Sequence, residues 1–218
     1  MTHPVNQHRA YNARGRQART TVTRLAVIDA ASTLFAQHGY AATTIEAISD
    51  SSRTPQATVY RLFGSKLGIL TALLDIAAVG DDQDVAMGDR PAVRDLLASH
   101  DPHEQLAGFA RLSREVMARL APIQRILLSA AGSDPGAAAL LAQHTRQRQV
   151  GQARIARALA KARALRAGVT ERDAADIIHA LMSPEVYLLL TTDRGWGPDR
   201  YQAWLAGTLA QQLLGSAP

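Results

Sequence analysis

Between Thr43 and Phe63 the chain reads Thr-Thr-Ile-Glu-Ala-Ile-Ser-Asp-Ser-Ser-Arg-Thr-Pro-Gln-Ala-Thr-Val-Tyr-Arg-Leu-Phe. Its chemistry lies in the second half, where Gln56, Ala57, Thr58 and Arg61 share the exposed side of a short helix. A glutamine amide can bond an adenine edge, a guanidinium can bond guanine or a phosphate, and an alanine or threonine methyl can meet the thymine methyl. A helix N-terminus with hydroxyls beside it suits phosphate. The apolar positions divide the stretch into two helices. The first, capped by Thr43 or Thr44, buries Ile45 and Ile48, and a break follows at Ser51 to Arg53. The second takes Thr54 as N-cap and Pro55 as its first position, and buries Val59 and Phe63. Two short helices joined by a tight turn can hold the second in a major groove. A surface hairpin with no nucleic-acid partner would show much the same spacing, so spacing alone leaves both readings open.

Charge narrows the choice. The chain has 218 residues and a net charge of +5. Residues 1–66 hold eight Lys or Arg against Asp29, Glu46 and Asp50, whereas the other 152 residues carry sixteen charges of each sign. All the excess therefore sits in the first third. A basic end on a neutral body suits a polyanion, because each neutralised phosphate releases counterions. No cysteine is present, which excludes disulfides and thiolate metal sites and fits a reducing cytoplasm. The N-terminus has no apolar run of the signal-peptide kind. The apolar stretch from Ile177 to Leu190 contains His179, Pro184 and Glu185 and falls short of the ~20 residues of a membrane span, so no membrane partner is expected.

The elements that must position these residues all read as helix. Residues 1–20 are polar and without apolar period, and are expected to be a flexible basic arm. From Thr23, Leu25, Ile28, Ala31, Ser32 and Phe35 draw an amphipathic helix that ends near His38 with Gly39 as its cap. Ser65 caps a helix from Lys66 to about Val79, and Gly80 to Asp89 is a loop by composition. Further helices are expected at 91–99, 102–120, 122–132, 136–166, 171–192 and 198–214. Asp101-Pro102-His103-Glu104 and Thr170-Glu171-Arg172-Asp173 carry capping signatures. The expected fold is all-α: a flexible arm at 1–20, a three-helix helix-turn-helix domain at 21–66, and a helical effector-binding and dimerisation domain at 67–218.

From Arg24 to Leu70, Ala30-Ala31, Leu34-Phe35, His38-Gly39-Tyr40, Thr43-Thr44, Ile48, Thr58-Val59-Tyr60-Arg61-Leu62-Phe63 and Ser65-Lys66 stand in an order that resembles the DNA-binding domain of the TetR family of repressors. The resemblance implies a double-stranded DNA operator, a homodimer and a small-molecule effector. It places Gln56, Ala57 and Thr58 on bases, and Thr44, Tyr60 and Lys66 on phosphate. Arg14, Arg16 and Arg19 of the arm add backbone or minor-groove contacts, and Thr43, Arg53, Thr54 and Arg61 complete the candidate interface. The chain departs from the family at the turn, where Arg53, Thr54 and Pro55 replace the usual Gly, Val and Ser, and Ser49 and Ser52 replace common alanines. Glycine is usual there because the turn needs a left-handed or otherwise strained backbone, so Arg53 must bear strain of about 1 kcal/mol or more or reshape the turn.

A short recognition helix reads few base pairs, and a symmetric dimer solves this by placing two copies about one DNA turn apart. The expected dimer face lies on the last helices, through Ile178, Leu181, Val186, Leu189, Tyr201, Trp204, Leu205 and Leu209, as half of an intermolecular four-helix bundle. The same apolar faces also fit the core of a monomer. The family further implies a ligand cavity, with Phe109, Met117, Ile123, Leu127, His144, Arg148, His179, Met182 and Tyr187 as candidate lining for a mainly hydrophobic effector.

The rival readings are a DNA-coating protein without sequence preference and a helical enzyme. His100, Asp101, His103 and Glu104 are explained by capping rather than by a metal, and no Gly-rich phosphate loop, nucleophile elbow or zinc-ligand pair is present. No metal and no cofactor is expected.

Overall fold

The protein is described by a computed structural model covering residues 5–80 and 89–215. Ten α-helices follow one another among these residues: α1 (Val5–Ala42), α2 (Ile45–Ser52), α3 (Gln56–Phe63), α4 (Lys66–Val79), α5 (Pro91–Ala98), α6 (Pro102–Ala131), α7 (Pro135–Lys161), α8 (Glu171–Leu181), α9 (Pro184–Leu188) and α10 (Pro198–Leu213). A π-helical turn, Leu189–Asp193, continues α9. Among the described residues there is no strand, only an isolated antiparallel bridge between Leu165 and Leu214. The fold is therefore all-α, as the alanine- and leucine-rich segments between Gly and Pro imply. The chain divides into two compact units, Met1–Leu73 and Leu74–Pro218.

Several helix starts follow the capping chemistry. Asp101 Oδ1 accepts from the backbone N–H of His103 at 2.8 Å and of Glu104 at 3.3 Å. Thr170 and Asp173 form a reciprocal box, Thr170 N–H to Asp173 Oδ2 at 3.0 Å and Asp173 N–H to Thr170 Oγ1 at 3.2 Å. Ser65 Oγ accepts from Gly68 N–H at 3.1 Å. Asp134, which the sequence reading passed over, does the same for α7 through Gly136 and Ala137.

Other boundaries differ from expectation. The backbone of residues 5–20, expected as a flexible arm, is helical and continuous with α1. Alanine, arginine and glutamine are strong helix formers, and no proline interrupts them after Val5. The helix breaks at Gly39 (φ 79°, ψ 163°), where a residue with a Cβ would be strained. The expected helices 102–120 and 122–132 are one, α6, which carries Pro122 inside it and leaves the carbonyl of Ala118 without its usual partner. Conversely, 171–192 is broken, because Pro184 cannot donate to Ala180 and instead starts α9 with Ser183 Oγ as N-cap, 3.2 Å from Val186 N–H. The expected helix 136–166 stops at Lys161, and Arg163 turns the chain with φ 55°. Of the expected loop from Gly80 to Asp89, residues 81–88 lie outside the described residues.

In the first unit Val27, Ala31, Phe35, Ile48 and Val59 form the buried centre. In the second, Leu106, Phe109, Ile155, Leu159, Ile178, Met182, Tyr201, Leu205, Leu209 and Leu213 make one buried cluster. Two histidines sit at the border of this packing. Burial pushes the pKa of His144 down, opposed by Asp75, whose carboxylate lies 4.0 Å away. Burial and then the Arg148 guanidinium push His179 down, opposed by Glu185 and Asp176.

A histidine with a depressed folded pKa stays neutral while its unfolded counterpart takes a proton near pH 6.5. Stability is then level above that pH and falls as the pH drops through it. The melting temperature is expected to fall between pH 7.5 and pH 5.5, and to fall less in the H144Q/H179Q variant. Thermal denaturation at a series of pH values checks this.

Candidate nucleic-acid interface

The first unit builds its outer face from two capped turns. At the start of α2, Thr44 Oγ1 accepts from Ala47 N–H at 3.0 Å, so Thr44 rather than Thr43 is the cap. Helix α2 ends in a Schellman turn. Thr54 N–H reaches Ser49 C=O at 3.0 Å, Arg53 N–H reaches Asp50 C=O at 3.2 Å, and Arg53 is left-handed (φ 53°, ψ 34°). A side chain at this left-handed position costs about 1–2 kcal/mol. The turn is held by Ser49, whose buried hydroxyl donates to Thr54 C=O at 2.7 Å. Ser49 and Thr54 are therefore bonded through both backbone and side chain. Ser49, marked in the sequence only as a departure from a common alanine, thus holds the turn from within.

Helix α3 begins one residue later than expected. Pro55 is the N-cap (φ −54°), and its carbonyl accepts from Thr58 and Val59 at 2.8 and 3.1 Å. No side chain caps this end, so the first N–H groups of α3 lack an intrahelical partner. Gln56, Ala57, Tyr60 and Arg61 are exposed along one face, Thr58 is half-buried, and Val59 is fully buried. Tyr60 is 50% exposed, which is unusual for a tyrosine that merely packs. At the far end Arg24 of α1 lays its guanidinium over the Phe63 ring, 4.8 Å from the centroid.

Not every expected contact residue faces outward. Thr43 is buried, and its hydroxyl donates to Gly39 C=O at 2.8 Å and to Leu34 C=O at 3.3 Å. Thr54 is also buried, with its hydroxyl 3.3 Å from Ser52 C=O, and it does not cap α3. Both threonines hold the backbone instead of offering a hydroxyl. Lys66 differs most from expectation. Its ammonium donates to Tyr40 C=O at 2.7 Å, Thr43 C=O at 2.8 Å and Ala41 C=O at 3.3 Å, and lies 4.4 Å from the centroid of the Tyr40 ring. A lysine ammonium has three N–H groups, and here all three are turned to the backbone. Thr44, Arg53 and Arg19 are exposed. Arg14 and Arg16 lie on α1 by their backbone; their side chains lie outside the described residues.

The expected effector residues all belong to the second unit, where Phe109, Met117, Ile123, Leu127 and Met182 are buried and His144, Arg148, His179 and Tyr187 are half-buried. None of them lines the open cavity of about 620 Å³ found among the described residues. That cavity lies between α5 and α6, walled by Leu96, Gly108 and Leu112 and rimmed by Asp95, Glu104, Arg111 and Glu115. The reason is packing: Phe109 and Met182 belong to the buried cluster of the second unit, with Tyr187 packed against it, and Met117, Ile123 and Leu127 are buried as well. The expected dimer face needs a similar correction. Ile178, Tyr201, Leu205 and Leu209 have no exposed surface because they fill the core of their own chain. Leu181, Val186 and Trp204 are half-exposed and Leu189 is 51% exposed, so the apolar surface available to a second copy is narrower than the sequence suggested. Among the described residues no group of three or more His, Asp or Glu is placed to hold a metal, and no helix is long and apolar enough to cross a membrane.

Residues 27–73 match the family model described as bacterial regulatory proteins, tetR family. No curated protein sequence matches the chain. Solved structures share the fold across most of its length. SmeT, in a complex with triclosan, has 18% identity, covers 89% of this chain and 93% of its own, and gives a TM-score of 0.69. NalD of Pseudomonas aeruginosa, described as the secondary repressor of the MexAB-OprM multidrug efflux pump, has 20% identity, covers 89% of this chain and 97% of its own, and also gives 0.69. A protein of Syntrophomonas wolfei described as a TetR-family transcriptional regulator has 20% identity, covers 87% of this chain and 93% of its own, and gives 0.65. These are likenesses of fold.

The left-handed arginine gives a direct test of the turn. R53G removes about 1–2 kcal/mol of strain and adds back up to about 1 kcal/mol of unfolded-state entropy. Chemical denaturation is expected to show a gain of roughly 0.5–1 kcal/mol. The same substitution removes an exposed positive charge beside α3.

Proposed function

Taking residues 27–73 as a TetR-type helix-turn-helix domain, we propose that the chain is a ligand-responsive, DNA-binding transcriptional repressor that grips a palindromic operator as a homodimer. The observation that carries this reading is the outer face of α3. Gln56, Ala57, Tyr60 and Arg61 are exposed together on a helix whose start is uncapped and whose entry is locked by the Schellman turn at Arg53. Gln56 and Ala57 read base edges, with Thr58 offering its methyl from a half-buried position. Tyr60 and the first N–H groups of α3 meet phosphate, and Thr44 and Arg53 flank them. Positive charge in excess only within residues 1–66 supports the same partner.

Leu181, Val186, Leu189 and Trp204 form the apolar patch through which two copies pair. A small molecule bound in the second unit favours a conformer in which the two recognition helices no longer match the operator spacing, and it weakens DNA binding by its differential affinity. SmeT is known with triclosan bound, and NalD is described as a repressor; the effector and the negative sign of regulation are taken from that likeness.

Selection from a randomised duplex pool with the full chain tests the proposal. The expected product is an inverted repeat with half-sites about one DNA turn apart or a multiple of it. Changing Q56A or R61A should cost about 1–3 kcal/mol against that duplex and relax the sequence at one position of each half-site. Binding without sequence preference would instead make the protein a DNA-coating one.

A further inference from the structure

Helix α7 turns an odd face toward its own chain. Leu140 and, about four to five turns on, Ile155 and Leu159 are buried and apolar, as a packed helix requires. Between them on the same side stand His144, Arg148 and Gln152, a polar stripe at four-residue spacing about 12 Å long. These are positions where the hydrophobic pattern calls for leucine.

The stripe is organised around the guanidinium. His179 of α8 has Nδ1 2.7 Å from Gln152 Oε1. The amide oxygen only accepts, so Nδ1 carries the proton and Nε2 presents a lone pair. Arg148 Nη2 donates to that lone pair across 3.4 Å. The imidazole and the amide thus fix one corner of the guanidinium. Its Nε and Nη1 are buried and have no hydrogen-bond partner among the described residues. Burial holds the Arg148 pKa below its ordinary value, and Glu185 opposes that pull. Glu185 is exposed and makes no ion pair with Arg148 among the described residues; Asp176 acts on His179. A buried cation met only by a neutral ring is unfavourable unless an anion completes it.

We propose that Arg148, held by His179 and Gln152, is the receptor for the carboxylate of an organic acid whose apolar body packs against Ile178 and Met182. This names the chemical class of the effector and rests on the ligand-responsive reading above. One guanidinium with Glu185 in its field calls for a monoanion rather than a phosphate dianion. Ile178, beside His179 on α8, and Met182, just past the end of that helix, belong with Ile155 to the same buried cluster, and Tyr187 packs edge-on against Tyr201, 4.9 Å between centroids. Because Nε and Nη1 are shielded from solvent, the acid enters by parting α7 from α8.

Benzoate and its neutral counterpart benzamide are suitable probes. In the ¹⁵N-labelled protein the Arg148 Nε–H signal, assigned by its loss in R148M, is followed through both titrations without DNA. Benzoate should shift it saturably and benzamide should not. By calorimetry R148M should bind benzoate at least tenfold more weakly, about 1.4 kcal/mol. Without ligand, R148M should melt no lower than the wild type, since methionine replaces an unmatched buried charge. A signal unmoved by benzoate, or moved equally by benzamide, overturns the proposal. So does an unliganded R148M that melts well below the wild type, for Arg148 would then serve only the fold. A protein that binds benzoate but selects no duplex would retain the acid site and remove the regulator, so the two readings fail separately.

Discussion

The Lys66 ammonium lies where three carbonyls past the Gly39 break, those of Tyr40, Ala41 and Thr43, turn inward at the end of α1. Those carbonyls lie past the break at Gly39, at the C-terminal end of α1, and a cation at a helix C-terminus is electrostatically favourable. Lys66 itself is the first residue of α4, where its charge is mildly unfavourable to its own helix. Reaching back across 23 to 26 residues of sequence reverses that sign and closes α2 and α3 into a loop whose two ends are pinned. The Tyr40 ring under the ammonium and the Thr43 hydroxyl bonded to Gly39 complete the knot. The exposure of Gln56, Tyr60 and Arg61 depends on it, because helices of eight residues are too short to hold a direction alone.

Within that closed loop the turn at Arg53 is the second constraint. Schellman geometry demands a left-handed residue, and a family that places glycine there avoids the strain. Here arginine accepts it, while Ser49 adds a buried hydroxyl bond to Thr54 that a common alanine could not make. The departures at Ser49, Arg53 and Thr54 are thus one change rather than three: a strained turn held by an additional internal bond, with a positive charge placed beside α3.

Much of this was legible beforehand. Periodicity placed Ile28, Ala31, Phe35, Ile48 and Val59 inside, and capping chemistry placed the starts of α2, α4, α6 and α8. What failed were questions about where one polar group looks. Thr43, Thr54 and Lys66 have side chains equally able to meet a phosphate or a carbonyl, and only tertiary closure decides between them. The same holds for Tyr201 and Leu205, whose apolar faces suit a core and an interface alike until the neighbouring helix α6 is in place. Proline was ambiguous in a similar way: Pro122 is carried within α6 and Pro184 starts a helix, a distinction set by the Ser183 cap in one case and continuous packing in the other.

If Lys66 serves the fold around α2 and α3 and does not touch DNA, its removal has a particular signature. The most direct measurement is the slope of log affinity against log salt for K66M and the wild type, on a duplex enriched by the full chain. The account predicts a less stable protein and weaker binding with the same slope, since no phosphate contact is lost. A slope shallower by about 0.9, with stability unchanged, would mean that Lys66 neutralises a phosphate and would contradict the account.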